Sequence, residues 1–282
     1  MASRPPKKCS MKIPSDSHSH SKFSHDGRES ADKLIKKAES LGLDYYAITE
    51  HLDRDYKHCR SERFIPQLRL KAYYRAVKRL REKYSNSNTY VAFGVEAGFC
   101  PEVVEWYQKK LPEFDFDVII NSIHTMDGGD AYFGKIFDGK TQDEIYNRYL
   151  DLLLASVKVP YSYDIIAHIG YVTRYVSFEN YTLCQDKYMD KIDTLLKEII
   201  AQDKTIEINT HIKHKEMSFL PERGILQRYF ELGGRNITFS SDAHLSDSIG
   251  YRYDLVRDIA KEIGFTHWTV YKKRIAHKIE IE

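Results

Sequence analysis

A mostly parallel α/β fold of barrel size is the fold class that the sequence predicts, and three observations predict it. Short β-type runs alternate with longer helical patterns from Met11 onward, as βα units around a parallel sheet would. Seven or eight such units in about 270 residues match the size of a barrel. Neither a G-x-G-x-x-G turn after the first strand nor a Walker A lysine loop occurs. A doubly wound open sheet fits the periodicity almost as well, but these absences remove the usual reasons for one.

In chain order, the strand candidates are Met11–Pro14, Asp44–Thr49, Tyr90–Val95, Asp117–Ile123, Tyr163–Ala167, Thr205–Ile208, Asn236–Ser240 and Trp268–Tyr271. Each is a short apolar or β-branched run bounded by turn residues. The helices lie between them. Ser30–Leu41 opens on a Ser N-cap, spaces Leu34, Ile35, Ala38 and Leu41 helically, and stops at Gly42. Leu68–Tyr84 gathers Tyr73, Ala76, Val77 and Leu80 on one face and basic residues on the other. Thr141–Ser156, Lys187–Gln202, Gly224–Leu232 and Tyr253–Glu262 complete the set.

Met1–Ser10 is polar, proline-bearing and basic, and reads as a disordered leader ahead of one domain spanning 11–282. The chain has no apolar run of membrane-helix length. It also has no apolar signal core. Its four cysteines, at least 41 residues apart, form no C-x-x-C pair, so reduced thiols and a cytoplasmic site are expected. Residues 54–83 carry eleven Lys or Arg against three Asp or Glu, within a chain of net charge +2. That basic island would suit phosphate, nucleic acid or simply water. Its apolar stripe interleaved with cations favours a solvated helix face, so nucleic acid is not expected as a partner.

The informative residues follow the strands. Asp16-Ser-His18-Ser-His20 leads into His25-Asp26-Gly27; Thr49-Glu50-His51, Gly94-Val95-Glu96, Ile123-His124, Ala167-His168 and Asp242-Ala243-His244 end later strands. Seven of the twelve histidines thus sit at strand ends that a parallel α/β fold brings to one face. A lone histidine there is usually a satisfied polar group, and Glu96 or Asp242 alone would cap a helix. Their convergence points instead to a multinuclear site for transition metals such as Zn, Mn or Fe.

These motifs, in this order from Met11 to Gly250, resemble the PHP (polymerase and histidinol phosphatase) superfamily. The resemblance implies a distorted (β/α)7 TIM-like barrel holding up to three divalent metals at the C-terminal strand ends, with Trp268–Tyr271 peripheral to it. It implies that His18, His20, Glu96 and Asp242 hold one ion. Glu96 would bridge to a second held by His124 and His168, and His25, His51 and His244 would hold the third. Asp16 would orient a ligand histidine, and Glu50 stands where Asp is more frequent.

Phe116–His124 with its Asp-Gly-Gly loop, and Tyr163–Tyr175, are similar to the histidinol-phosphatase branch. That likeness implies hydrolysis of L-histidinol phosphate, a small-molecule phosphomonoester, by a metal-bound hydroxide in histidine biosynthesis. Arg174 would grip the phosphate. After Glu207-Ile-Asn-Thr210 the branch usually continues Ser/Ala-Gly-Leu-Arg, whereas this chain has His211-Ile-Lys213-His214-Lys215. Lys213, His214 or Lys215 could then supply the second phosphate contact. Asp242 and Asp26 are the candidates to protonate the leaving group. A PHP-type nucleotide phosphoesterase or nuclease is the alternative, and oligomeric state stays open.

Overall fold

The computed structural model describes residues 13–58, 66–212 and 217–282. In chain order its strands begin with β1 (Ser15–Asp16), β2 (Tyr45–Leu52), β3 (Tyr90–Gly98) and β4 (Val118–Ser122). A two-stranded hairpin follows, β5 (Thr125–Met126) and β6 (Gly129–Asp130), and then β7 (Ile165–Ile166), β8 (Thr205–Asn209) and β9 (Ile237–Ser240). Outside the hairpin, neighbours pair in parallel in the order β1-β2-β3-β4-β7-β8-β9. The ring closes where β9 meets β1. Ser17 N–H donates to Phe239 O at 3.0 Å and His20 N–H to Ala243 O at 2.9 Å, beside a parallel bridge between Ser19 and Ala243. This is a seven-stranded barrel of the predicted class.

Alternation along the strands fills both faces of the wall. Tyr45, Ala47, Ala92, Val118, Ile120 and Ile165 pack inside the ring. Tyr46, Ile48, Phe93, Ile119 and Ile166 point outward into the larger core beneath the helices. Those helices are α1 (Ala31–Ser40), α2 (Leu70–Lys83), α3 (Val104–Lys110), α4 (Gln142–Ser156), α5 (Asp186–Ala201), α6 (Arg223–Glu231) and α7 (Tyr253–Ile263). On α1, Leu34 and Ile35 are fully buried, each worth about 1.5–3 kcal/mol. The Ser30 side chain caps the helix by accepting from Lys33 N–H. Thr141 and Glu144 form a capping box on α4.

Three differences from the expected elements have physical causes. The first strand is Ser15–Asp16, and Met11 and Lys12 of its predicted span lie outside the described residues. The seven-residue α3 lies between Pro101 and Pro112, too short to announce a helical period. At the end of the chain, β10 (His267–Lys272) pairs in parallel with β9 at Trp268–Ile237 and antiparallel with β11 (Ile275–Glu280). The turn between them, Lys273-Arg274, has φ of 51° and 65° without the usual Asn-Gly or Asp-Gly sequence.

That hairpin lies across the N-terminal mouth of the barrel. Val270 and Tyr271 join the inner cluster, and Arg274 Nε donates to Asp164 Oδ2 at 2.5 Å. With the bottom closed, the C-terminal mouth is left for chemistry.

Candidate metal centre

The strand ends deliver the predicted side chains to that mouth. His18 and His20 follow β1, His51 and Glu96 lie near the ends of β2 and β3, and His124, His168, Asp242 and His244 follow β4, β7 and β9. Two turns hold their site residue in the left-handed region, His168 at φ 25° and Asp242 at φ 52°. Such backbone is costly for a residue with a Cβ and concentrates at functional sites.

In a neutral imidazole, the nitrogen that donates a hydrogen bond leaves the other bare. His18 Nδ1–H donates to Glu207 Oε1 at 2.6 Å, so its Nε2 presents a lone pair. The Ser24 hydroxyl donates to Glu50 Oε2 at 2.6 Å and must therefore accept from His20 Nδ1 at 3.2 Å. The Nε2 of His20 is bare as well. These two bare nitrogens face each other at 2.9 Å.

The same logic holds across the cluster. His124 donates through Nδ1 to Asp53 Oδ1 at 3.2 Å and turns a bare Nε2 to Glu96 Oε1 at 3.0 Å. His244 donates through Nδ1 to the Asp242 carbonyl and turns Nε2 to Asp26 Oδ2 at 3.0 Å. Lone pair against carboxylate is repulsive unless a cation, a proton or a metal ion, lies between them.

Glu96 stands at the centre. Its Oε2 lies 2.9 Å from His51 Nδ1, 3.3 Å from His18 Nε2 and 3.5 Å from His20 Nε2. Nevertheless it accepts no hydrogen bond and is fully sequestered from solvent. Its Oε1 lies 2.9 Å from His168 Nε2. Ligand atoms about 2.0–2.1 Å from a tetrahedral ion stand about 3.3–3.4 Å apart. The separations here fit that spacing, and the residues therefore suit divalent metal ions.

Close ligand sets include His18, His20 and Glu96; Glu96, His124 and His168; His20, His51 and His244; His51, Asp53 and His124; and His211, Asp242 and His244. Asp242 Oδ1 lies 3.3 Å from His20 Nε2, beside the first set. His25 stands farther out, with Nε2 3.9 Å from Asp26 Oδ2. That Asp26 oxygen is also 3.5 Å from His51 Nε2, so Asp26 sits among the three histidines expected to share an ion.

Some assignments change. Asp16 meets His18 at its backbone and not at its ring, and its oxygens also accept from Ser241 N–H and Gly250 N–H, fixing the turn that carries Asp242. Glu207 takes the orienting role instead. Glu50 binds Ser21 and Ser24 rather than a ring. Lys213, His214 and Lys215 lie outside the described residues.

Sequence reasoning missed Asp53, Glu207 and His211. Asp53 Oδ2 lies 3.3 Å from His51 Nδ1, and Gly98 makes room for it, since a Cβ there would sit 2.8 Å from Asp53 Oδ1. Asp53 had only its position two residues past Thr49-Glu50-His51 as a cue, whereas Glu207 and His211 stood in the Glu207-Ile-Asn-Thr210 segment and just after it without a site role.

Above the cluster is a cavity of about 480 Å³. Among the described residues, Arg28 and Arg174 are the Lys or Arg side chains that line it. Arg174 is buried; Nη2 donates to Asn209 Oδ1 at 2.7 Å, Nη1 lies 3.9 Å from Asp242 Oδ2, and Nε has no partner. Arg54 belongs elsewhere, against Trp106 at 4.8 Å in a separate outer cavity of about 440 Å³. The α2 cations Arg81 and Lys83 pair with Asp117 and Asp32.

A model of the PHP domain family matches residues 16–211, from the end of β1 to the residue beyond Thr210. The chain belongs to the PHP domain family. Among relatives of this PHP chain, a Clostridium acetobutylicum protein named a probable histidinol-phosphatase is 32% identical over 238 residues, 84% of this chain and 89% of that protein. The Lactococcus lactis histidinol-phosphatase is 25% identical over 255 residues, 89% of this chain and 91% of that one. A crystal structure of the Lactococcus lactis histidinol phosphate phosphatase with zinc, L-histidinol and phosphate matches with a TM-score of 0.79 at 23% identity. It covers 94% of this PHP chain and 99% of that one, and shows the same fold. Among the described residues no helix is long and apolar enough to cross a membrane.

Proposed function

We propose that this PHP chain is a metal-dependent phosphomonoesterase that hydrolyses L-histidinol phosphate to L-histidinol and phosphate, a step of histidine biosynthesis. The observation that carries the chemistry is Glu96, a buried carboxylate ringed by imidazole nitrogens of five histidines. The names of the relatives carry the substrate.

Three divalent ions (Zn, Mn or Fe) are assigned, in a single barrel domain over 11–282. His18, His20, Glu96 and Asp242 would hold the first, and Glu96, His124 and His168 the second. The third belongs to His25, His51 and His244, with Asp26 at hand. Bound ions of this kind acidify water and neutralise charge on phosphoryl oxygens.

The remaining work falls to the chain. Arg174, buried at the cavity wall with an unpartnered Nε, offers a planar fork to the phosphate. Arg28 adds charge across the cavity, and Lys213 and His214 stay assigned to a second phosphate contact. Asp26, 40% exposed, and Asp242 are the candidates to pass a proton to the leaving oxygen.

Phosphate release by metal-replete protein tests the substrate. The kcat/KM for L-histidinol phosphate should exceed that for nucleoside monophosphates and single-stranded DNA by about 100-fold or more. Comparable turnover of nucleotides or DNA would overturn it and turn attention to the cationic outer cavity around Arg54.

A further inference from the structure

Four carboxylates line the cavity, and three of them, Asp26, Glu96 and Asp242, lie against histidines of the cluster. The fourth is Asp130. It is 5% exposed, and its described hydrogen bonds come from neutral donors, Tyr56 OH to Oδ2 at 2.6 Å and Tyr132 N–H to Oδ1 at 2.8 Å. Burial pushes its carboxyl up, as expected of a charge given little compensation. Its placement is set by a tight hairpin. Asp130 ends the β5–β6 hairpin, whose Asp127-Gly128 turn has φ of 52° and 80°, the geometry that Asp-Gly favours.

Aromatic rings join this carboxylate to the metal ligands. Tyr171 lies 5.2 Å from the His124 ring, Tyr175 lies 5.1 Å from Tyr171, and Tyr132 lies 5.7 Å from Tyr175. The wall therefore runs from the cluster to Tyr132 at the rim, which is 50% exposed. Arg174 lies at the cluster end, 5.3 Å from the Tyr171 ring. A buried carboxylate beside ring faces is the chemistry that takes an alkylammonium ion.

We infer that Asp130 and the tyrosine wall form the subsite for the organic half of the substrate, with Asp130 receiving its ammonium group and the rings its planar heterocycle. This rests on the phosphomonoesterase reading above and adds to it the residues that select a cationic substrate.

The test compares L-histidinol phosphate with its deamino analogue, 3-(imidazol-4-yl)propyl phosphate, on metal-replete wild type and on Asp130→Asn. Wild type should prefer the amine by about 10–100-fold in kcat/KM, chiefly through KM. Asp130→Asn should lose most of that preference while turning over the deamino compound within about threefold of wild type. Tyr132→Leu, at an exposed position, removes a ring face but keeps the backbone donor to Asp130. It should raise KM for both compounds about threefold or more. An amine preference that survives in Asp130→Asn, or KM values unchanged in Tyr132→Leu, would overturn the subsite. So would a wild type that hydrolyses both compounds equally well. A wild type that hydrolyses neither would overturn the substrate reading and the subsite with it.

Discussion

The imidazoles of His18 and His20 oppose each other with their Nε2 atoms 2.9 Å apart, and each spends its Nδ1 proton elsewhere, on Glu207 and on Ser24. Ligand geometry in this centre is therefore set from behind the ligands. Glu207→Gln should weaken metal retention or activity by about 10–100-fold, the usual cost of losing an orienting carboxylate. Equilibrium dialysis against a metal buffer measures the affinity directly.

Glu96→Gln preserves shape and removes the charge shared by the imidazoles. It should lower kcat by about a thousandfold or more and reduce bound metal per chain. Elemental analysis of the purified variant beside its turnover separates this from a folding defect.

Arg174→Ala should reduce kcat/KM for the phosphomonoester by about 100-fold, and Arg174→Lys should not restore it, because an ammonium lacks the guanidinium fork. Retained metal content with raised KM is the expected signature.

Acid–base linkage should show at the barrel floor. Burial raises the Asp164 carboxyl above its ordinary 3.8, and Arg274 works against that rise. With the folded pKa above the unfolded one, Asp164 contributes most favourably below the unfolded value. That contribution is lost as pH climbs through the folded value. Arg274→Ala strands the carboxylate, so it should cost about 2 kcal/mol at pH 7 and clearly less near pH 3.5. Urea unfolding at the two pH values decides.

Much of the site was legible because strand ends converge in a parallel fold. Once alternating βα units were recognised, His18, His51, Glu96, His124, His168 and Asp242 had to meet. Orienting groups were less legible, since orientation depends on three-dimensional direction. Asp16 lies two residues from His18 and meets its backbone, Ser241 and Gly250, while the carboxylate on the His18 ring is Glu207, 189 residues away. Likewise β11 was hidden by its largely exposed residues and by a turn lacking Asn or Gly.

The most direct test of the account is to strip the protein of metal and titrate Zn, Mn or Fe back while following phosphate release from L-histidinol phosphate. The account predicts negligible turnover without metal and recovery as about two to three ions bind per chain, with Glu96→Gln failing to recover. Full turnover by the metal-free protein would contradict it.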